Sequence, residues 1–421
     1  MRCAIVSVGT EFLFGQTVNT NTVYLSRQLN LMGFDVLYHH SVGDNPGRLT
    51  HLLQSTLGEV DLILTTGGLG PTGDDLTKEM IAETMGVDLV EDPNTLEALR
   101  KGAERKGRKL TENNYKQAML PRGAEIFDNP VGTAPGFALR QGDKIVLSMP
   151  GPPRELIWMW NHRAKPYLLR FVDGTIDFRL IREFGIGESA VETLLLPFID
   201  GQTDPTIATY AKEGEVSIRV ASKRSRAEEA RRAVDDMTAR LGQVLGASVY
   251  SYDGEDLPVA LGRALIQKRL TLSACESCTG GMFSEQMISC PGISAVFDRG
   301  LVTYSEKAKR EELGVSLEIL NRYKAESPET ARAMAEGLAQ KTGSDVCISS
   351  TGVAGPGSWH GVEAGTCFVG LTYRGKTSVR TIRTQRAERE WNRRYFCLSM
   401  MDFIRRTVGI QAELIPKALT K

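Results

Sequence analysis

From Cys3 to about Tyr167, short apolar runs alternate with helical patterns. Ala4 to Val8 is followed by a helix near Thr20 to Met32, then Asp35 to His39, a helix near Gly47 to Leu57, and Leu62 to Thr66. A strand that leads each time into a helix returns to the sheet by a crossover, which indicates a parallel sheet covered on both faces. The predicted class is therefore α/β, with an N-terminal domain on the scale of a nucleotide or cofactor.

At 421 residues the chain is long enough for two to four domains. A smaller α+β unit follows the first, in which Glu215-Val-Ser-Ile-Arg-Val-Ala alternates as a half-exposed strand should. A helix near Arg226 to Leu245 turns Val234, Met237, Leu241 and Leu245 inward. The run Tyr252-Asp-Gly-Glu-Asp-Leu-Pro258 reads as a hinge into a third unit that again alternates helix and strand. The expected boundaries are 1–168, 169–253 and 254–415.

Hydrophobic content of 41% and charged content of 24% are ordinary for soluble proteins. No apolar stretch is long enough to span a bilayer, and the N-terminus lacks a signal-peptide cleavage site, so a cytoplasmic location without a membrane partner is expected. With 51 basic and 51 acidic residues, no bulk charge favours a nucleic-acid partner. Seven cysteines without a secretory signal favour free thiols over disulfides.

Leu64-Thr-Thr-Gly-Gly-Leu-Gly-Pro-Thr-Gly-Asp-Asp-Leu-Thr77 places four glycines and two adjacent carboxylates at the C-terminal end of a buried strand, where open α/β sheets bind ligands. Glycine backbone at Gly67, Gly68 and Gly70 lets a phosphate approach closely, and Asp74 and Asp75 are candidates for a divalent cation that bridges phosphate oxygens. The alternative is a turn with the aspartates as a helix cap. Glu11 in Gly9-Thr-Glu11, Asp44, and the segments Asn129-Pro-Val-Gly-Thr-Ala-Pro-Gly136 and Met149-Pro-Gly-Pro-Pro-Arg154 would join the site in a doubly wound sheet. A phosphorylated or polyanionic ligand is indicated.

In the third unit a strand-like run, Leu270 to Leu272, meets Ser273-Ala-Cys-Glu-Ser-Cys-Thr-Gly-Gly281 before a helical pattern, Met282 to Ile288. A polar turn ending in glycines at a helix N-terminus presents N–H groups and a hydroxyl that suit an oxyanion or a phosphate. Ser277 is the natural nucleophile; alternatively Ser277 and Thr279 only cap the helix. Cys275 and Cys278 also form a C-x-x-C pair of redox type, but a zinc site lacks a second pair or nearby histidines.

Several of these motifs carry a family resemblance. Gly9-Thr-Glu11, Asn19-Thr-Asn21, Thr66 to Thr77, Gly132-Thr-Ala-Pro-Gly136 and Pro150-Gly151 resemble the molybdopterin-binding-type domain of the CinA family (competence/damage-inducible protein A). Glu276-Ser-Cys-Thr-Gly-Gly281, Tyr304-Ser-Glu-Lys-Ala-Lys309 and Thr351-Gly-Val-Ala-Gly-Pro-Gly357 resemble its C-terminal nicotinamide-nucleotide amidase domain. The middle unit is similar to the family's KH-like linking domain. It has Gly185-Ile-Gly187-Glu188 in place of a G-x-x-G clamp, so RNA binding is not supported.

The resemblance implies a bifunctional salvage enzyme. Its first, doubly wound domain would cleave ADP-ribose to AMP and ribose 5-phosphate with a divalent metal ion (Co2+, Mg2+ or Mn2+) held by Asp74, Asp75, Glu11 and Asp44. Substrate contacts there would come from Gly67, Gly68, Gly70, Thr72, Gly132 and Thr133. The last domain would deamidate nicotinamide mononucleotide without a cofactor, and a homodimer is expected. The alternatives are a non-catalytic nucleotide-binding or competence-related accessory protein and, on fold type alone, a molybdopterin-processing enzyme.

A serine that attacks an amide needs a base, and His360 is the only histidine of the third unit. The candidate set is therefore Ser277 as nucleophile, Lys309 as a neutral base and Tyr304 as proton relay. Thr279, Gly280 and Gly281 would supply oxyanion N–H groups, and Thr351, Gly352 and Gly355 would bind phosphate or ribose. Departures from the family pattern are Cys275 for alanine, Tyr323-Lys-Ala-Glu for His-Gly-Ala-Val, and Ser358-Trp-His-Gly-Val-Glu-Ala within the glycine loop. They bear on substrate affinity more than on catalytic identity.

Overall fold

The computed structural model describes residues 1–105, 107, 111–172, 174–212 and 214–415. The described chain forms two compact units, Met1–Ile176 with Lys223–Ala227, and the remainder. Among the described residues no helix is long and apolar enough to cross a membrane.

The first unit is built on a six-stranded sheet in the order Asp35–Val42, Arg2–Val8, Leu62–Thr66, Lys144–Met149, Gly136–Gln141, Glu125–Phe127. Alternation along buried strands sends Cys3, Ile5, Leu62 and Leu64 to one face, against Leu25 and Leu29 of helix Thr20–Leu31. Ala4, Val6, Val8 and Ile63 go to the other face, against Leu49 and Leu53 of helix Pro46–Glu59. Asn19 and Asn45 cap those helices, accepting from the N–H groups of Thr22 (3.1 Å) and Arg48 (3.0 Å).

Only the first four strands are parallel. Gly136–Gln141 pairs antiparallel with Lys144–Met149, because the Gly142-Asp143 turn is too short for a crossover, and Glu125–Phe127 pairs antiparallel in turn. The all-parallel expectation is corrected to a mixed sheet.

In the second unit, a four-stranded sheet (Thr206–Lys212, Glu215–Arg224, Thr175–Phe184, Val249–Ser251) packs on helix Ala227–Leu245 through Val234, Leu241 and Leu245. Met237, expected to face inward, is partly buried against the same cluster.

The other sheet of this unit has the order Phe297–Val302, Leu272–Glu276, Val346–Val353, Thr366–Tyr373, Lys376–Arg383, parallel across the first three strands and antiparallel beyond. Cys275 and Cys347 pack on Met334 and Leu338 of helix Pro328–Thr342. Leu272, Ala274 and Ile348 pack on the opposite face against Leu261, Phe396 and Met400. The two sheets are tied by Arg405, which is buried, pairs with Asp402 at 2.7 Å and donates to the carbonyl of Ala247 at 2.7 Å.

Candidate functional site

Strand Leu272–Glu276 extends further into the polar motif than its composition suggests, so the turn proper is Ser277 to Gly281. The Ser277 N–H donates to the carbonyl of Ser350 at 3.0 Å, holding the turn to the neighbouring strand. Glu276, 1% exposed, folds back over the start of helix Met282–Ile288. Its carboxylate accepts from the N–H groups of Gly281 (3.0 Å), Phe283 (3.1 Å) and Ser284 (2.9 Å) and from the Ser284 hydroxyl (2.7 Å). A buried carboxylate needs such donors, and a helix N-terminus supplies them.

This corrects two of the three expected oxyanion donors, Gly280 and Gly281, and leaves Thr279. The Gly281 N–H is committed to Glu276, and the Gly280 N–H to the carbonyl of Ser277 at 3.1 Å. Among the described residues, the main-chain N–H groups of Cys278 and Thr279 have no acceptor. They directly follow the serine, the position from which a nucleophile turn stabilises an oxyanion. The Thr279 hydroxyl is buried against Ser350 Oγ at 2.8 Å.

Lys309 sits on helix Glu306–Leu313, which Ser305 caps by accepting from the Ala308 N–H at 3.1 Å. Helical side chains lean toward the N-terminus. The Lys309 amine accordingly reaches the carbonyls of Thr303 (2.9 Å) and Tyr304 (3.1 Å) and lies 3.0 Å from Ser277 Oγ. Lys309 is 1% exposed and Ser277 8% exposed. Burial lowers the lysine pKa, an effect that Glu326 opposes. Tyr304 meets this pair through its backbone, whereas its exposed phenol is 3.4 Å from Arg389 Nη2.

The glycine loop beside the turn is held from within. Thr351 directs its hydroxyl to the carbonyl of Ala325 at 2.7 Å, away from any ligand role. Gly352 lies against the Thr366 backbone, and Gly355 (φ +109°) leaves no room for a Cβ, which would sit 2.5 Å from the Ala387 carbonyl. Buried Asn392 donates to the carbonyls of Ala354 and Arg386 at 2.8 Å each. Two arginines of helix Arg389–Thr407, absent from the sequence reading, complete the surroundings. Arg389 donates to the Gly355 carbonyl at 2.8 Å and Arg393 to the Thr279 carbonyl at 2.9 Å. Their i, i+4 spacing marks one helix face, but nothing local says which loops it meets.

All seven cysteines are free and buried. Cys275 and Cys278 do not form a redox pair. Cys275 Sγ faces the carbonyl of Met334 at 3.6 Å, whereas Cys278 Sγ is 3.6 Å from Cys367 Sγ.

In the first unit a cavity of about 560 Å³ opens at the C-terminal ends of the parallel strands. Glu11, Asp44, Gly67, Gly68, Gly70, Asp74, Asp75 and Thr133 all line it. Gly67 (φ +98°) must be glycine, since a Cβ would sit 2.2 Å from the Val8 carbonyl. Thr72 lies outside the lining and supports it, its N–H donating to Asp75 Oδ2 at 3.0 Å. Gly132 also lies outside it, packed against Glu155 and Asn129. Asp44 accepts from the Thr10 N–H (3.0 Å) and hydroxyl (2.7 Å). Behind the loop, buried Lys78 bonds the carbonyl of Lys116 and has its pKa lowered by burial to about 8. Lys116 in turn bonds the carbonyl of Thr72 at 3.1 Å.

Among the described residues, no three Asp, Glu, His or Cys side chains gather as a metal cage. Five carboxylates around a cavity edged by glycine backbone, Glu155 besides the four expected, nevertheless fit a hard cation that takes one or two carboxylates and its remaining ligands from substrate phosphates.

Comparison with known proteins covers all three segments. Residues 4–170 match the family description "Probable molybdopterin binding domain", residues 178–251 "Damage-inducible protein CinA KH domain", and residues 254–408 "CinA C-terminal domain". A "CinA-like protein" of Dictyoglomus thermophilum is 42% identical over 407 residues, spanning 96% of this chain and 99% of the relative. One from Dictyoglomus turgidum is 41% identical over the same shares. The crystal structure of the protein CinA from Thermoplasma acidophilum, described as of unknown function, is 34% identical over 39% of this chain and 96% of its own, with a TM-score of 0.37. With an N-terminal domain of the molybdopterin-binding type, a KH-like middle domain and a C-terminal domain that carries the buried serine–lysine contact, this chain belongs to the CinA family.

Proposed function

We propose that the chain is a bifunctional hydrolase of pyridine-nucleotide salvage, acting in the cytoplasm as a homodimer without membrane or nucleic-acid partners. Its C-terminal domain hydrolyses the carboxamide of nicotinamide mononucleotide to nicotinic acid mononucleotide and ammonia. The observation that carries this reading is the 3.0 Å contact between Lys309 Nζ and Ser277 Oγ in a buried setting.

Neutral Lys309 takes the Ser277 proton as Oγ attacks the carboxamide carbon. The N–H groups of Cys278 and Thr279 stabilise the oxyanion. Lys309 returns the proton to the departing ammonia, and water then releases the acid from the serine ester. Arg389, which joins Tyr304 to the glycine loop, is the natural partner of the substrate phosphate.

The N-terminal domain hydrolyses ADP-ribose to AMP and ribose 5-phosphate with a divalent cation, which neutralises phosphate charge when bound. Asp74 and Asp75, with Glu11 and Asp44 in support, hold the cation, while the glycine backbone accepts the phosphates. The test is incubation of the purified protein with nicotinamide mononucleotide and, separately, with ADP-ribose plus Co2+, Mg2+ or Mn2+, followed by product identification. Ammonia without nicotinic acid mononucleotide, or no turnover of either substrate, would reject the reading.

A further inference from the structure

Gln117, in the short turn Lys116–Ala118, lines the N-terminal cavity yet is only 1% exposed. Its amide nitrogen lies 3.5 Å from the carbonyl of Leu69 and 3.5 Å from the hydroxyl of Thr133. A carbonyl only accepts, so the NH2 group faces Leu69 and the orientation of the carboxamide follows. That leaves Gln117 Oε1 buried, with no hydrogen-bond partner among the described residues. An unpaired buried acceptor is unfavourable, and native proteins keep few.

What completes this atom must be a hydrogen-bond donor or a cation, and only a donor carried by the base distinguishes nucleotides that differ in one amine. Phosphate oxygens cannot complete it, and neither can the carboxylates around the cavity. Leu69, whose carbonyl the amide faces, and Ala134, next to Thr133, are buried, and Pro150, Pro152 and Pro153 add apolar surface to the same lining. Apolar walls with one fixed polar group suit a planar base better than a ribose. Carboxamides are also the side chains that pair with the amine and ring nitrogen of adenine.

We infer that Gln117 reads the base of a purine nucleotide in this cavity by accepting a hydrogen bond from its exocyclic amine, which makes it a specificity residue of the N-terminal site. The inference rests on the pyrophosphatase reading for its substrate, an adenine nucleotide.

The test is calorimetric titration of the full chain, with Mg2+ present, with AMP, with purine riboside 5′-monophosphate, which lacks only the 6-amino group, and with 2′-deoxy-AMP. Wild type should bind AMP about tenfold more tightly than the purine analogue, the scale of one buried hydrogen bond, and 2′-deoxy-AMP like AMP. Gln117→Leu should bring AMP to the affinity of the analogue and leave the analogue unchanged. Equal wild-type affinities for AMP and the analogue would overturn the base contact, as would a preference that survives in Gln117→Leu. Loss of affinity only with 2′-deoxy-AMP would move the contact to the ribose and overturn it too. Failure of wild type to bind any of the three would overturn the pyrophosphatase reading together with this one. If Gln117→Leu does not fold, Gln117→Glu takes its place: a carboxylate at this position still accepts from the amine and should keep the preference for AMP over the analogue, and its loss there would overturn the inference.

Discussion

Lys309 Nζ lies 3.0 Å from Ser277 Oγ, and its two other hydrogen bonds go to the carbonyls of Thr303 and Tyr304. A neutral amine donates two N–H groups, one to each carbonyl, and turns its lone pair to the serine O–H. An ammonium also satisfies the three partners, so solvation decides between the forms. Burial lowers the Lys309 pKa and favours the neutral amine.

Lys309→Arg should therefore damage deamidation as severely as Lys309→Ala, since a guanidinium with a pKa above about 12 cannot act as a base. In wild type the protonated lysine is inactive, so kcat/KM should rise with pH through the lowered lysine pKa and then level off. An arginine enzyme within a few-fold of wild type would remove Lys309 as the base. Ser277→Ala should abolish ammonia release and leave ADP-ribose cleavage intact, because the two sites lie in different domains.

Glu276→Gln should destabilise the C-terminal domain by about 1–3 kcal/mol, since the amide replaces a carboxylate oxygen with a donor where N–H groups already converge. A lower denaturation midpoint together with reduced deamidase kcat is expected. Unchanged stability would show that the carboxylate does not hold the turn.

Asp74→Asn and Asp75→Asn should each raise the metal concentration needed for ADP-ribose cleavage, because a cation at the glycine turn would lose anionic ligands. Asp75→Asn should act more widely, since its carboxylate also holds Thr72. A double variant with wild-type rate and metal dependence would move the cation to Glu11 and Asp44.

Lys324 adopts φ +69° and ψ 170°, a region essentially reserved for glycine. It stands in the turn whose Ala325 carbonyl anchors Thr351. Lys324→Gly should raise the melting temperature by about 2–4 °C, the equivalent of roughly 1 kcal/mol. A calorimetric scan showing no rise would mean that the turn relaxes this strain.

Because crossover topology and strand periodicity are local patterns, the strand–helix alternation sufficed to place the parallel strands of the first sheet and the cavity at their C-terminal ends, but not the antiparallel strands Gly136–Gln141 and Glu125–Phe127. The glycine segments and Ser277 were legible for the same reason. Which N–H groups of the 277–281 turn remain available was not legible. That depends on Glu276, whose burial is set by the helix and strands packed around it. Likewise, the turn of Tyr304's phenol to Arg389, the separation of Cys278 from Cys275, and the unpaired oxygen of Gln117 arise from contacts between residues distant in sequence. Sequence determined the glycine turns, the carboxylates and the serine and lysine; only tertiary packing decided that Arg389, Arg393 and Gln117 join them and which hydrogen-bonding positions were already spent, because a buried polar group takes the partner that the surrounding fold brings within reach.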